Sequence, residues 1–170
     1  IDDYIYHTLN PVNDVFTLNL RIARGMETDP IYAVLGESLN VYGTSKYTAG
    51  ELKKRFAALG ATYSISGGYT FFDISLTGLD KNFEATVALL KHLLEDFNPT
   101  DKTISYLYNQ RTTDNKVNKN NPASGGRVLY IYGLFGDRSY YTKRLSAPEL
   151  KKLDPVSLTR KLQELTVNGF

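Results

Sequence analysis

Hydrophobic and polar residues alternate along the stretch VFTLNLRIA, near the start of the chain. Phe16, Leu18, Leu20 and Ile22 fall on one side of an extended backbone, and the residues between them are polar. A period of two with one apolar face is typical of a half-buried strand in an antiparallel sheet. The pattern therefore predicts a strand from Phe16 to Ala23, with the preceding YIYHTL as its hairpin partner across the turn NPVND.

A second extended region follows in ATYSIS, the pair Gly67-Gly68 and TFFDISLTGL. Two runs of strand-forming residues on either side of a glycine pair predict a β-hairpin. The alternation places Phe72, Ile74 and Leu76 on the side of the core. We therefore expect residues 70–77 to lie in the same antiparallel sheet as the first strand.

Helical periods and capping signals fill much of the remaining sequence. Asp29-Pro30 predicts the start of a helix that continues to about Tyr42, because proline is favoured in the first turn. The capping box TAGE starts a second helix, which ends at Gly60. Asp80 is expected to cap a third helix, whose apolar stripe would contain Phe83, Val87, Leu90, Leu94 and Phe97.

The last third of the chain also has helical patterns. A helix is expected from about Lys102 to Asn115, and NKVNKNNPASGG is expected to break it before an aromatic-rich helix that continues through Leu134. A capping box at SAPE follows, and a last helix starts at Asp154-Pro155. This order of elements predicts an α+β fold, with an antiparallel β-sheet and helices packed on one face.

Composition narrows the class of protein. The 170 residues are 42% hydrophobic and 22% charged, which is ordinary for a single soluble domain with a buried core. Acids and bases are intermixed around a net charge of +2, and no basic cluster predicts a nucleic-acid or anionic-membrane partner. No apolar run reaches membrane-spanning length. The sequence has no cysteine, which excludes disulfides and thiolate metal sites.

His92 is a candidate metal ligand, because a histidine and a glutamate in HLLED share a helix face. It points away from the expected apolar stripe, however, and the only other histidine is His7. A solvated helix face is therefore the favoured explanation. For the same reason Ser-His-Asp catalysis, which would need His7 or His92 in a cleft, is disfavoured.

The glycine pairs and the tyrosines are also explained by structural roles and do not require a binding site. SGG at residues 66–68 and SGGR at residues 124–127 do not follow a strand and open a helix as a phosphate loop does, so turns are expected. In VLYIYGLFGDRSYY the helical spacing predicts packing residues that are buried or half-buried. An aromatic wall for a peptide or a sugar remains an alternative. These aromatic residues are Tyr130, Tyr132, Phe135, Tyr140 and Tyr141.

The segment VLGESLNVYGTSKYTAGELKKRFAALGATYSIS resembles the insulinase/pitrilysin-type zinc metallopeptidases. In that family a helix with the inverted zinc motif HxxEH is followed by Gly-Thr, Lys-Tyr, a helix, a glycine and a hairpin. The resemblance extends over nearly the whole chain and includes NPVNDVFTL, GLDKNFEATVALLKHLLEDF and the NNP break. It implies the α+β fold of the pitrilysin and processing-peptidase domains.

Aligned on Gly43-Thr44, the resemblance places the two histidines of the motif at Val34 and Ser38 and its glutamate at Glu37. HxxEH has thus become VLGES. Valine cannot bind zinc, and a serine hydroxyl is a poor ligand beside imidazole. No glutamate occurs between Glu95 and Glu149 to supply the third ligand, and Asp114 is the only acid in the expected place. The resemblance therefore implies no catalytic, cofactor or metal residues in this chain.

Two interpretations of Glu37 are compatible with this alignment. It would be the remnant of the general base of an ancestral zinc site, which has no metal-activated water to deprotonate. It would equally be an acid at a helix edge with an ordinary hydrogen bond.

Family members also place an arginine and a tyrosine in the active site from the half without zinc. Arg55, Gly60 and Tyr63 match that pattern only with Arg55 one residue out of register, so they are given no role.

The resemblance is strongest to the first domain of the C-terminal half of four-domain members. It implies a non-catalytic domain that forms part of the substrate chamber and packs against the catalytic half, whose domain would carry the zinc. On this view the parent chain is a zinc metalloendopeptidase, and the partners are its other domains and its peptide substrate. We expect neither nucleic acid nor a membrane span. Export to the periplasm is an expectation from the family alone.

We interpret residues 1–170 as a single domain cut from a longer multidomain chain. Such a domain would lack its last strand, leave a sheet edge open to an edge-to-edge homodimer, and expose apolar helical surface. Two alternative functions stay open. The chain would be a structural or assembly domain of an inactive family member, or an unrelated metal enzyme that uses His92. An HxxEH motif upstream of Ile1 would favour the peptidase over the structural protein.

Overall fold

The computed structural model describes Tyr6, Thr8 and residues 10–169, with side chains up to residue 166. Three antiparallel strands form a sheet in the order β1–β3–β2. The strands are β1 (Val15–Ile22), β2 (Thr62–Gly67) and β3 (Phe72–Leu79). The predicted first strand and the predicted hairpin are therefore confirmed. The expected partner strand YIYHTL lies, apart from two of its residues, outside the described part of the chain.

The two faces of the sheet differ in polarity. One face is apolar, and Leu20, Ile74 and Ile65 lie side by side on it across the three strands. On the other face Arg21, Asp73 and Ser66 form one such row, two further rows consist of threonine, serine and asparagine, and the apolar pair Val15–Leu79 lies at the end. This alternation buries one face only, as half-buried strands require. The helices cover the apolar face and produce the predicted α+β architecture.

Within the residues that the structure describes there are eight helices, and several of them begin at a capping side chain. They are α1 (Ile31–Val41), α2 (Ala49–Ala58), α3 (Phe83–Glu95), α4 (Asp101–Lys119), α5 (Pro122–Phe135), α6 (Tyr140–Lys143), α7 (Ala147–Lys151) and α8 (Pro155–Gly169). The capping boxes predicted at the starts of α2 and α7 are both formed, and Gly60 ends α2 with a φ of 67°. The core packs the sheet against α1, α2, α3, α4 and α8, and its fully buried members include Leu35, Phe56, Phe72, Leu76, Leu93, Leu107 and Leu158.

Helix α1 lies unusually close to strand β2. A Cβ atom added to Gly36 would collide with the backbone nitrogen of Gly67, and one added to Gly67 would collide with the carbonyl oxygen of Tyr32. Asn40, one turn later in α1, accepts a hydrogen bond from the Ile65 amide at 3.2 Å and donates to the Ile65 carbonyl at 2.5 Å. The outer edge of β2 is therefore paired with a helix side chain at Ile65.

Helix α3 differs from the predicted stripe. Its buried residues are Thr86, Leu90 and Leu93, whereas Phe83 is 42% exposed and packs edge-on against Phe16. Asp80 does not cap the helix, because a 3₁₀ turn, Asp80–Asn82, precedes it. The apolar face is thus rotated relative to the prediction.

The boundary between α4 and α5 also differs from the prediction. α4 continues to Lys119, and α5 begins at Pro122, so the SGGR segment lies in a helix instead of a turn. This early start has two causes. Proline occupies the first helical position, and the Asn121 side chain accepts a hydrogen bond from the Ala123 amide at 3.0 Å.

Within the described part of the chain, no helix is both long and apolar enough to cross a membrane.

Candidate functional site

The three positions of the VLGES motif lie on α1 in two different environments. Val34 is 1% exposed and Ser38 is fully buried, so both belong to the core. The Ser38 hydroxyl donates to the Leu35 carbonyl within the same helix at 2.8 Å. Glu37 points elsewhere, and its side chain is 34% exposed. The chain therefore separates the glutamate from the two positions that the resemblance aligns with metal ligands.

Glu37 forms an ion pair with two arginines. The Nη2 atom of Arg111 donates to both carboxylate oxygens, at 2.9 and 2.7 Å, and Nη2 of Arg144 donates to one of them at 2.8 Å. The Arg111 side chain is only 4% exposed, and its Nη1 atom donates to the Leu145 carbonyl at 2.9 Å. We call Glu37, Arg111 and Arg144 the arginine–glutamate cluster. It connects α1, α4 and the segment between α6 and α7.

The chemistry of the arginine–glutamate cluster is electrostatic. Guanidinium groups keep their charge at ordinary pH, and charge-assisted contacts of this length are strong. Both oxygens of Glu37 accept hydrogen bonds from arginine, which ties the carboxylate to α4 and to the segment after α6. A divalent cation beside Glu37 would also lie next to two positive charges. Glu37 is thus an acid at a helix edge whose hydrogen bonds go to two arginines, so it balances a buried charge. Its origin as the remnant of a general base stays a prediction.

The sequence contained one signal for this cluster that the sequence analysis missed. Ile104, Leu107 and Arg111 share one face of α4, because they are three and then four residues apart. The first two are buried core residues. A charged residue on an apolar stripe is rarely buried without a partner, so Arg111 required an acid. Nothing in the local sequence indicates Arg144.

Asp114, considered as a third ligand, is exposed on α4, one turn beyond Arg111. Within the described residues no group of three or more His, Cys, Asp or Glu side chains could hold a metal ion. The motif glutamate and Asp114 therefore do not form a ligand set. His7 lies outside the described residues.

His92 is half-buried, which corrects the expected solvated helix face. Its Nε2 atom lies 3.2 Å from the Thr44 hydroxyl and 3.8 Å from a carboxylate oxygen of Asp96, and its ring packs edge-on against Tyr47. His92 thus fixes the loop after α1 to α3. A structural contact accounts for its position.

Arg55 and Tyr63 do not meet. The Arg55 guanidinium stacks on the ring of Tyr47, 4.0 Å from its centre, whereas the Tyr63 ring packs against Phe56. The Tyr63 hydroxyl is buried without a hydrogen-bond partner among the described residues, and burial raises the pKa of this phenol. The two residues therefore form no shared site.

A cleft of about 740 Å³ opens between α4, α5 and the segment after α6. We call it the α4–α5 cleft, and its walls combine cations with apolar side chains, namely Arg111, Lys119, Arg127, Leu129, Tyr141 and Leu145. A neighbouring cavity of about 400 Å³ is lined by Lys116, Lys119 and Lys151 together with Tyr108. No acidic side chain lines either cavity among the described residues.

The positive charge of this region is also visible in the sequence, which corrects the expectation of intermixed charges. Residues 111–152 contain nine lysines and arginines and three acids, a net charge of +6 in a chain whose total is +2. The remainder of the chain is therefore acidic overall, with a net charge of −4. The asymmetry concentrates positive charge in the stretch from α4 to α7, which also lines the two cavities.

Helix α5 has no buried residue, which contradicts the predicted packing of its aromatic residues. Tyr130, Tyr132 and Phe135 are 66%, 48% and 53% exposed, and Leu129 and Leu134 are 72% and 58% exposed. Tyr140 and Tyr141 in α6 are also exposed, with their rings in edge-on contact. So many exposed large apolar side chains on one short segment are unusual for a protein that acts alone.

Comparisons with known proteins give matches at the level of structure. No protein-family model and no curated protein sequence matches this chain. A peptidase M16 inactive domain from Pseudomonas fluorescens superposes with a TM-score of 0.75 at 19% identity, over 89% of this chain and 38% of that one. The fold is that of an M16 peptidase domain.

Parts of two proteases share this fold. The periplasmic protease PqqL from Escherichia coli has a TM-score of 0.69 at 14% identity, over 91% of this chain. The ferredoxin protease FusC, in complex with Arabidopsis ferredoxin, has a TM-score of 0.70 at 14% identity, over 89% of this chain. This chain spans only 17% of the length of each of these two proteins.

Proposed function

We propose that this chain is a non-catalytic domain of an insulinase-like, M16-type zinc metallopeptidase. It packs against the catalytic half of the enzyme and forms part of the wall of the substrate chamber. The observation that carries the proposal is the arginine–glutamate cluster on a helix of the M16 fold. At the positions aligned with the zinc motif, two side chains are buried in the core and the glutamate balances two arginines.

The surface of α5 supports the packing role. It presents leucine, tyrosine and phenylalanine side chains to solvent over about two helical turns. Covering such a surface with another domain removes apolar area from water and stabilises the assembly. The other domains of the same polypeptide are the proposed partners, and zinc belongs to the catalytic domain among them.

The first test concerns zinc. We expect the purified chain to bind far less than one zinc per molecule and to cleave no peptide, as measured by metal analysis after dialysis and by a fluorogenic peptide assay. The double variant Val34→His/Ser38→His should behave in the same way, because both positions lie inside the core and Arg111 repels a cation. Stoichiometric zinc in the unmodified chain, lost in Glu37→Gln, would overturn the non-catalytic assignment.

The second test concerns packing, and it uses the domain with an intact HxxEH motif that the proposal places in the same polypeptide. When the two are mixed, we expect a complex of defined mass in analytical ultracentrifugation. Leu134→Glu on α5 should weaken it at least about tenfold, as removal of a central apolar contact does. Val156→Glu, in an equally exposed position on α8, is the matched control and should leave the complex intact.

Either of two results would contradict the packing role: no complex at all, or equal weakening by both substitutions.

The alternative function, a structural domain of an inactive family member, predicts that the coding sequence contains no HxxEH motif. Sequencing the full reading frame separates the two functions.

A further inference from the structure

The walls of the α4–α5 cleft and of its neighbouring cavity carry positively charged side chains and no acidic ones among the described residues. Glu37 balances one of the two charges carried by Arg111 and Arg144. Arg127 and Lys119 line the cleft without a carboxylate beside them in its wall, and both are exposed. The walls therefore carry an excess of positive charge in a concave site, where low-dielectric surroundings strengthen its attraction for anions.

Unsatisfied polar atoms provide a second, independent observation. Three buried side-chain polar atoms have no hydrogen-bond partner among the described residues. Two of them belong to residues that line these cavities: Nε of Arg144 in the α4–α5 cleft and the hydroxyl of Thr112 in the neighbouring cavity. Buried polar groups are normally paired, so these two atoms show that residues in the walls of both cavities carry polar groups that the described residues do not satisfy.

Apolar side chains in the same cleft narrow the chemical class of ligand that it can bind. Val128 and Leu129 from α5 and Leu145 from the opposite wall lie between the cations, together with Tyr141. Aliphatic walls favour aliphatic side chains, whereas single-stranded nucleic acid is held by aromatic platforms on which bases stack. A bilayer is flat and cannot enter a concave site. A chain that carries both carboxylates and aliphatic groups fits both kinds of wall.

We propose that the α4–α5 cleft binds an acidic polypeptide segment in which glutamate or aspartate alternates with aliphatic residues. Carboxylates of the segment pair with Arg127 and Lys119, and its aliphatic side chains contact Leu129 and Leu145. This inference rests on the proposed function, because it names the class of polypeptide that the chamber wall would hold. Binding to the isolated chain tests it separately from assembly with a catalytic domain.

Fluorescence anisotropy with labelled probes about ten residues long tests the proposal directly. A peptide of glutamate and leucine should bind, and its affinity should fall steeply between about 0.05 and 0.5 M salt, because screening lengths shrink in that range. A glutamate and serine peptide should bind at least about tenfold more weakly, and a lysine and leucine peptide should not bind. A ten-nucleotide thymidine strand should also bind more weakly than the first peptide.

Charge reversal locates the site. Lys119→Glu/Arg127→Glu should reduce the affinity for the glutamate and leucine peptide at least about thirtyfold, and Leu129→Ser should reduce it severalfold. The matched control is Lys53→Glu/Lys54→Glu, which changes the net charge equally on the exposed face of α2. Circular dichroism verifies that all variants are folded.

Three results would overturn the inference. They are equal weakening by the two double substitutions, equal binding of the two glutamate peptides, and tighter binding of the thymidine strand. None of these results would affect the zinc and packing tests of the proposed function.

Discussion

At the scale of single residues, Glu37 holds together parts of the chain that are distant in sequence. Its two arginine partners lie 74 and 107 residues away. Removal of one member of a buried ion pair leaves an uncompensated charge, whereas replacement of the whole pair by apolar residues is often neutral. The Arg111 guanidinium is the buried member, so the role of Glu37 in this chain is to keep that charge balanced.

Glu37→Ala should therefore reduce the free energy of unfolding by about 2–3 kcal/mol, somewhat less than for a fully buried pair because Glu37 is partly exposed. Asp73→Ala is the control, since it breaks the exposed Arg21–Asp73 pair and should cost at most about 1 kcal/mol. Urea denaturation measures both. The triple change Glu37→Leu/Arg111→Met/Arg144→Met should recover most of the loss. If Glu37→Ala and Asp73→Ala cost the same, the cluster does not stabilise the fold.

The sequence allowed the prediction of Glu37 but not of its environment. The resemblance selected position 37 from a local motif, and the structure places a residue with unusual contacts there. Arg144 could not be predicted, because its contact with Glu37 depends on how α6 and α7 return across α4. Long-range pairs of this kind leave no periodic trace in the sequence, and their geometry is set by packing.

At the scale of elements, local signals predicted most boundaries and failed where packing decides. The alternation of hydrophobic and polar residues predicted β1 and the hairpin, and the capping boxes predicted the starts of α2 and α7. The face of α3 was wrong by a rotation, because Phe83 packs on Phe16 at the end of the sheet. The predicted start of α5 was wrong because the Asn121-Pro122 start signal prevails over the two glycines that follow it.

The contact of α1 with β2 supports a prediction at this scale. Gly36→Ala should destabilise the protein by about 2–3 kcal/mol, because the added methyl group forces the helix away from the Gly67 backbone. Gly50→Ala in α2 is the matched control. Nothing lies within 4 Å of a Cβ atom at Gly50, so this change should stabilise by about 0.5–1 kcal/mol. Thermal unfolding of both variants checks the prediction, and two changes of the same sign would contradict it.

At the scale of the whole molecule, helix α5 differs from the core helices in how much apolar surface it buries. The core lies between the sheet and helices α1, α2, α3, α4 and α8, whereas α5 contributes no buried residue to it. The exposed apolar residues of α5 therefore lie on a helix that contributes no buried side chain, whereas the cations Arg111, Lys116 and Lys119 lie on α4, which is part of the core.

Amide hydrogen exchange should reveal this difference. Regions with little buried apolar surface open at low free energy, so the protection factors of α5 should be at least about a hundredfold below those of α1 and β3. Addition of the catalytic partner should raise the protection of α5 and leave that of β3 unchanged. Equal protection of α5 and α1 in the free chain would show that α5 is a cooperative part of the core.

The polar face of the sheet has a practical consequence for experiments on this protein. Ser64 and Ser75 lie side by side on that face, across β2 and β3. Since the sequence contains no cysteine, Ser64→Cys would provide a single thiol for biotin or a dye. A sensor chip loaded through this thiol would hold every molecule in one orientation, with the helices and the α4–α5 cleft directed toward the flowing solution.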